Sequence, residues 1–262
     1  MNFFETIKKT ELKQGQIALS WLGQAGFLIR NSKNEQMAID IYLSDLSERL
    51  DGNKRLTQSI VDAEDLEVDI ILASHHHTDH LDLDSLSVML QKDSKLYCCN
   101  KSYELCKTAK LPMEKVVSVQ VGDVVCDKGF LIEAVFADHG DTAPDALGFM
   151  IETEGIKIYF TGDTSYQFEK MSYAVNKKCD ILIAPINGEY GNMNERDAAM
   201  LAGQIKANLT IPCHFWTFAR HQGSPYDFQL AMMALAPECK EYTMAQGETI
   251  YYPNEYNDGG SI

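Results

Sequence analysis

The sequence predicts an α/β protein in which short buried strands alternate with helices and deliver polar residues to one edge of the structure. Three observations carry this. Short β-branched apolar runs recur along the chain, amphipathic patterns separate several of them, and histidine or aspartate repeatedly stands just beyond a run.

Taken in order, strands are expected at Ile17 to Leu22, Gly26 to Ile29, Ala38 to Ile41, Val68 to Ala73 and Lys95 to Cys99. Further runs follow at Phe130 to Phe136, Gly148 to Ile151, Ile156 to Phe160, Ile181 to Ala184 and Leu209 to Cys213. Helical patterns lie at Asp84 to Leu90, Ser102 to Lys107, Asn194 to Ile205 and Tyr226 to Leu235. Asn194 is a good N-cap, with Glu195 in the first turn complementing the helix dipole. There is no low-complexity linker and no strong internal repeat, so residues 1–262 read as one domain, with residues 254–262 expected to fray.

The most informative segment is Ser74-His75-His76-His77-Thr78-Asp79-His80, directly after the run ending at Ala73. Asp82 then opens a helix, which places the cluster on a strand-to-helix loop. If the loop keeps the alternation of an extended chain, His75 and His77 point one way and His76 the other. Asp79 and His80 follow once the chain has turned and can face a second point nearby. Neutral imidazole with carboxylate suits zinc, iron or manganese. A histidine tag would be terminal and lack aspartate; this cluster is internal and follows a buried strand.

Composition restricts the function. The net charge of −15, with no basic run longer than Lys8-Lys9 or Lys177-Lys178, argues against a nucleic-acid-binding surface. It does not exclude a small anionic substrate, because divalent ions would make the site itself positive. No stretch of 18 apolar residues occurs, and the segment from Met1 to Lys9 resembles neither a signal peptide nor a membrane anchor. The seven cysteines form an odd set without a C-x-x-C pair, which suits free thiols and a cytoplasmic setting. Cys213 adjoins His214, but strand alternation turns it toward the core. A homo-oligomer is compatible with the sequence.

Beyond the cluster the chain has only His139, His214 and His221. His139 and His214 lie just past strands, as do Asp163 and Asp40. Singly, each has an ordinary structural role available, a hydrogen-bonded histidine or a turn. Together with the cluster they can converge on one edge of a rigid scaffold.

The set His75-x-His77-x-Asp79-His80, then His139, Asp163 and His214, resembles the metallo-β-lactamase superfamily. The likeness runs from Trp21-Leu22-Gly23-Gln24-Ala25-Gly26 to His214. It implies an αβ/βα four-layer sandwich of two mixed β-sheets flanked by helices, carrying two divalent metal ions. It assigns His75, His77 and His139 to one ion, Asp79, His80 and His214 to the other, and Asp163 as a bridge, with Asp40 a structural acid that orients the loops. Ile41-Tyr42-Leu43-Ser44-Asp45, Tyr159 to Tyr166, Gly188 to Asn194 and Ile211-Pro212-Cys213-His214 are similar to the L-ascorbate-6-phosphate lactonase branch. That likeness favours manganese, with zinc or iron as alternatives.

Metal binding lowers the pKa of water from about 15.7 toward roughly 7, so a nucleophile is available at neutral pH without serine or cysteine. The expected reaction is opening of a small phosphorylated sugar lactone, with Asp79 and Asp163 as catalytic residues as well as ligands. Arg220 and His221 are candidates for the phosphate, and Gln24 and Tyr42 for sugar hydroxyls; loop, turn and core roles are open to all four. His76 is left outside the ligand set, and Asn192 is read as shaping a turn. The alternatives are a metal-dependent phosphodiesterase or nuclease of the same fold, or a metal-binding or redox protein without hydrolytic activity.

Overall fold

A computed structural model describes Ile7 and residues 9–253, so the tail expected to fray lies outside the described residues. The first seven-stranded sheet holds β1 (Ile17–Gly23), β2 (Gly26–Arg30), β3 (Gln36–Ile39), β4 (Ile70–Ala73), β5 (Lys95–Cys98), β6 (Val116–Ser118) and β14 (Thr249–Tyr252). Its spatial order is β14-β1-β2-β3-β4-β5-β6, antiparallel from β14 to β3 and parallel from β3 to β6. The second sheet, also of seven strands, holds β7 (Val124–Asp127), β8 (Phe130–Phe136), β9 (Leu147–Thr153), β10 (Ile156–Phe160), β11 (Ile181–Pro185), β12 (Leu209–Cys213) and β13 (Lys240–Glu241). It too is half antiparallel, β7 to β10, and half parallel, β10 to β13.

The helices are α1 (Leu46–Asp51), α2 (Leu83–Met89), α3 (Asn100–Thr108), α4 (Phe168–Lys177), α5 (Glu195–Ile205) and α6 (Pro225–Leu235). Two caps read from the sequence are present. Asp82 accepts a hydrogen bond from Ser85 N at the start of α2, and Asn194 and Asp197 form a reciprocal capping box on α5.

The inner faces of the two sheets share one apolar core. Ile17, Phe27, Ile39 and Leu72 meet Phe130, Phe149, Ile158 and Phe160, and the Phe27 ring stands edge-on to Phe160 at 6.3 Å between centroids. Burying each such side chain contributes roughly 1.5–3 kcal/mol. Leu28, Ala38, Ile71 and Leu96 turn outward against Leu86 and Met89 of α2 and Cys106 of α3. Ala198, Leu201 and Ala202 bring α5 onto the second sheet. The architecture is the αβ/βα sandwich of two mixed sheets flanked by helices.

Some elements differ from expectation. β3 ends at Ile39, because Asp40 takes a left-handed φ of 44° and turns the chain out of the strand. The buried strand expected from Val68 begins at Ile70. Strands β6, β7, β13 and β14 and helices α1 and α4 are additions. β7 lies at the edge of its sheet and alternates between exposed and half-buried positions, so it lacks a continuous apolar run. No helix among the described residues is long and apolar enough to cross a membrane.

Candidate metal centre

The parallel halves of both sheets point their carboxyl ends to one side, where ligands of α/β proteins gather. Asp40 follows β3, His75 to His80 follow β4, Asp163 follows β10 and His214 follows β12; His139 follows β8 on the antiparallel side. The chain turns sharply at these points. Gln24, Asp40, His214 and Trp216 have left-handed φ of 53°, 44°, 61° and 60°. Each costs a non-glycine residue about 1–3 kcal/mol, so the surrounding contacts must hold it there.

One group of donors is His75, His77 and His139, with His75 Nε2 at 2.9 Å and His139 Nε2 at 3.3 Å from His77 Nδ1. A second group is His80, Asp163 and His214, with His80 Nε2 and His214 Nε2 at 3.2 Å. Asp163 Oδ2 lies between the two groups, 3.2 Å from His214 Nε2, 3.5 Å from His80 Nε2 and 3.8 Å from His139 Nε2. Asp79 Oδ2 stands 3.5 Å from both His80 Nε2 and His214 Nε2. Ring nitrogens facing ring nitrogens at these distances need a proton or a cation between their lone pairs. The donors are nitrogen and oxygen with no thiolate, a set that fits divalent zinc, iron or manganese.

Supporting contacts fix the donors. Asp40 accepts from Ser74 N at 2.7 Å and Ser74 Oγ at 2.5 Å, and its Oδ2 lies 2.7 Å from His80 Nδ1. Asp82, besides capping α2, accepts from Leu43 N and Ser44 N at 2.9 Å each and so ties residues 43–44 to the histidine loop. Asn192 Nδ2 donates to Asp163 Oδ2 at 2.9 Å, a role that its place in a turn did not reveal. Gln24 Nε2 reaches Asp79 Oδ2 at 2.7 Å.

The electrostatics divide the imidazoles. Burial pushes His75 far below its ordinary range and His139 down to about 4. Burial also lowers His80 and His214, but the carboxylates more than offset it: His80 lies well above its ordinary range and His214 is raised to about 9, Asp163 contributing most to both. Burial disfavours ionised Asp79 and Asp163, yet the charges of His80 and His214 hold both well below the usual carboxylate range.

His77, Asp79, His139, Asp163 and His214 line a pocket of about 450 Å³ whose walls include Asp51, Asn53, His76, Thr142, Tyr190, Phe218 and His221, while His75 and His80 are buried beyond its lining. A beta-lactamase superfamily domain model matches residues 18–214. A UPF0173 metal-dependent hydrolase of Myxococcus xanthus is 30% identical over 225 residues, covering 81% of this chain and 75% of that protein. The chain belongs to the UPF0173 metal-dependent hydrolase family of the metallo-β-lactamase superfamily. Another UPF0173 metal-dependent hydrolase, from Polynucleobacter asymbioticus, is 26% identical over 257 residues, 91% of this chain and 87% of its own. Among solved structures, a metallo hydrolase of Ignicoccus hospitalis superposes with a TM-score of 0.74 at 21% identity, covering 92% of this chain and 100% of that one, and shares the fold.

Within this UPF0173 chain, the residues expected to bind substrate separate. Arg220 does not line the pocket; its exposed side chain hydrogen-bonds with Tyr190, which does, and faces Glu189. Tyr42 is buried and does not line the pocket; its ring meets the Arg55 guanidinium at 4.4 Å and the Phe218 ring at 5.7 Å. Gln24 is buried behind Asp79 and does not line the pocket. His221 does line it, but its Nδ1 turns toward Gln24 at 2.9 Å. Cys213 lies in the core between the sheets.

Proposed function

We propose that the chain hydrolyses a small carboxylic ester, a lactone foremost, with two divalent ions in this centre. In this reading His75, His77 and His139 hold one ion, Asp79, His80 and His214 the other, and Asp163 bridges them. The observation that carries it is the convergence of these nitrogen and oxygen donors beside an open pocket that His77, Asp79, His139, Asp163 and His214 line. Thr142 Oγ1 donates to His139 O at 2.8 Å, and Thr78 Oγ1 donates to Asp51. These bonds tie the histidine loop to Asp51 and the Thr142 wall to His139.

Bound ions would lower the pKa of water and polarise a substrate carbonyl. Asp79 and Asp163, held ionised, would orient water by accepting its hydrogen bonds. Gln24 would steady Asp79 by donating to Oδ2. Asp40, accepting from His80 Nδ1, would leave the Nε2 lone pair of the neutral ring facing the centre.

Likeness to the lactonase branch supports a lactone and manganese; iron or zinc would also match the donors. The phosphate of a sugar lactone would meet neither lysine nor arginine among the described pocket residues, so uncharged lactones belong in the substrate set. The free cysteines and acidic composition support a cytoplasmic setting.

The test is proton release by manganese-loaded protein given L-ascorbate-6-phosphate, a neutral lactone or bis-p-nitrophenyl phosphate, with Asp163→Ala as control. Lactone opening by the native chain is expected, with Asp163→Ala losing at least ~1000-fold in kcat/KM and binding less metal. Cleavage of the phosphodiester alone would replace this reading with a phosphodiesterase.

A further inference from the structure

His221 lies outside the donor set that the superfamily resemblance implies, yet the fold treats it as part of the centre. Its ring is 6% exposed and stacks on His214, with centroids 4.5 Å apart and planes at 23°. The backbone locks it in place: His221 N donates to Phe218 O at 3.0 Å, and His221 O accepts from Trp216 N at 2.7 Å. The Phe218 and Tyr190 rings meet it edge-on at 5.0 and 5.8 Å. Ligating atoms of Asp79, His214 and His221 all lie within 4.8 Å of one another.

Gln24 sits at the centre of this corner. Gln24 Nε2 faces Asp79 Oδ2 at 2.7 Å, His221 Nδ1 at 2.9 Å and His214 Nε2 at 3.1 Å. An amide nitrogen carries two hydrogens, which suffice for Asp79 Oδ2 and His221 Nδ1 when His214 Nε2 turns a hydrogen of its own to Asp79 or Asp163. Turning the amide over would set its oxygen against the Asp79 carboxylate, and Gln24 Oε1, itself buried, already has no partner. The corner therefore gathers a carboxylate and two imidazoles about one amide, in a chain whose neighbouring donors suit a divalent cation.

We propose that His221 is a further ligand, through Nδ1, of the ion assigned to Asp79, His80 and His214. This rests on the reading of the centre given above. It makes the two positions unequal. The first has three imidazoles and the shared Asp163, whereas the second has three imidazoles, Asp79 and the shared Asp163. Five nitrogen and oxygen donors favour a cation that accepts five or six ligands, such as Mn²⁺ or Fe²⁺, over tetrahedral Zn²⁺ at that position.

The experiment is titration of chelator-treated full-length protein with Mn²⁺, and separately with Co²⁺ as an absorbing probe, read by stoichiometry, affinity and the cobalt d–d spectrum. Native chain is expected to take up two equivalents. His221→Phe keeps an aromatic ring for the stack and removes the donor; one equivalent should weaken by about 100-fold and one cobalt band should shift toward tetrahedral intensity. His221→Asp should restore much of that affinity, which loss of packing alone would not allow. His76→Ala should bind like the native chain. If His221→Phe binds both equivalents with native affinity and spectrum, the proposal fails while the two-ion centre stands. If the native chain binds no divalent ion, the reading of the centre fails and takes the proposal with it.

Discussion

At the scale of the residue, the paired charges of His80, His214, Asp79 and Asp163 set a pH dependence. His214 is raised from its ordinary 6.5 to about 9, so its contribution to folding is complete below 6.5 and is lost as pH rises through about 9. Asp79 and Asp163 are lowered from 3.8, so their contribution is present above 3.8 and is lost only as acid protonates them in the folded state. The lowered His75 and His139 act the other way, costing stability as pH falls from 6.5 toward 4, so metal-free protein should be most stable near pH 6.5, with its melting temperature falling toward pH 9. Metal must displace the protons on His80 and His214, so binding should release protons and tighten over the pH range in which stability falls. Calorimetry in buffers of differing ionisation enthalpy measures that release; a pH-independent affinity would contradict the pairing.

At the scale of the element, strand ends aim the donors, and the clearest case follows β10. Gly162 has φ +64°, and a Cβ there would lie 2.5 Å from Leu147 O and 3.1 Å from Ser74 Cβ. Gly162→Ala should cost about 1–3 kcal/mol and displace Asp163, so both the denaturation midpoint and the bound metal should fall. Unchanged metal content would show that the turn can relax without moving the carboxylate. Such strands were legible in the sequence because each is a short apolar run closed by a turn residue or a polar residue: β8, β10 and β12 have the bounds that the runs gave. The donors were legible for the same reason, being the polar residues just beyond those runs. β13 was not, since Lys240 and Glu241 carry no apolar signal and pair only with β12. Nor were the partners of the donors. Asn192 reaches Asp163, and Asp82 reaches residues 43–44, across distances in sequence that no local pattern encodes. Arg220, singled out by its proximity to His214 along the chain, turns its side chain to Tyr190 in the pocket wall.

At the scale of the molecule, a chain of net charge −15 surrounds a pocket with Asp51 in its wall and neither lysine nor arginine among its described lining residues. Approach of an anion should be opposed over the Debye length, about 30 Å at 0.01 M salt and roughly 8 Å at 0.15 M. Raising salt across that range should increase kcat/KM for an anionic lactone by roughly twofold or more and leave a neutral lactone unchanged. A decrease would reveal an attractive approach path. The left-handed turns at Gln24, Asp40 and His214 have a broader consequence. Backbone held in costly conformations around converging lone pairs makes this rim a weak seam in an otherwise well-packed sandwich, and a bound cation would act as its rivet. Ion supply and chain survival would then be joined: protein starved of its metal should be the fraction that opens first at the rim and is cleared first by proteases, so the abundance of the enzyme would follow the metal content of its surroundings.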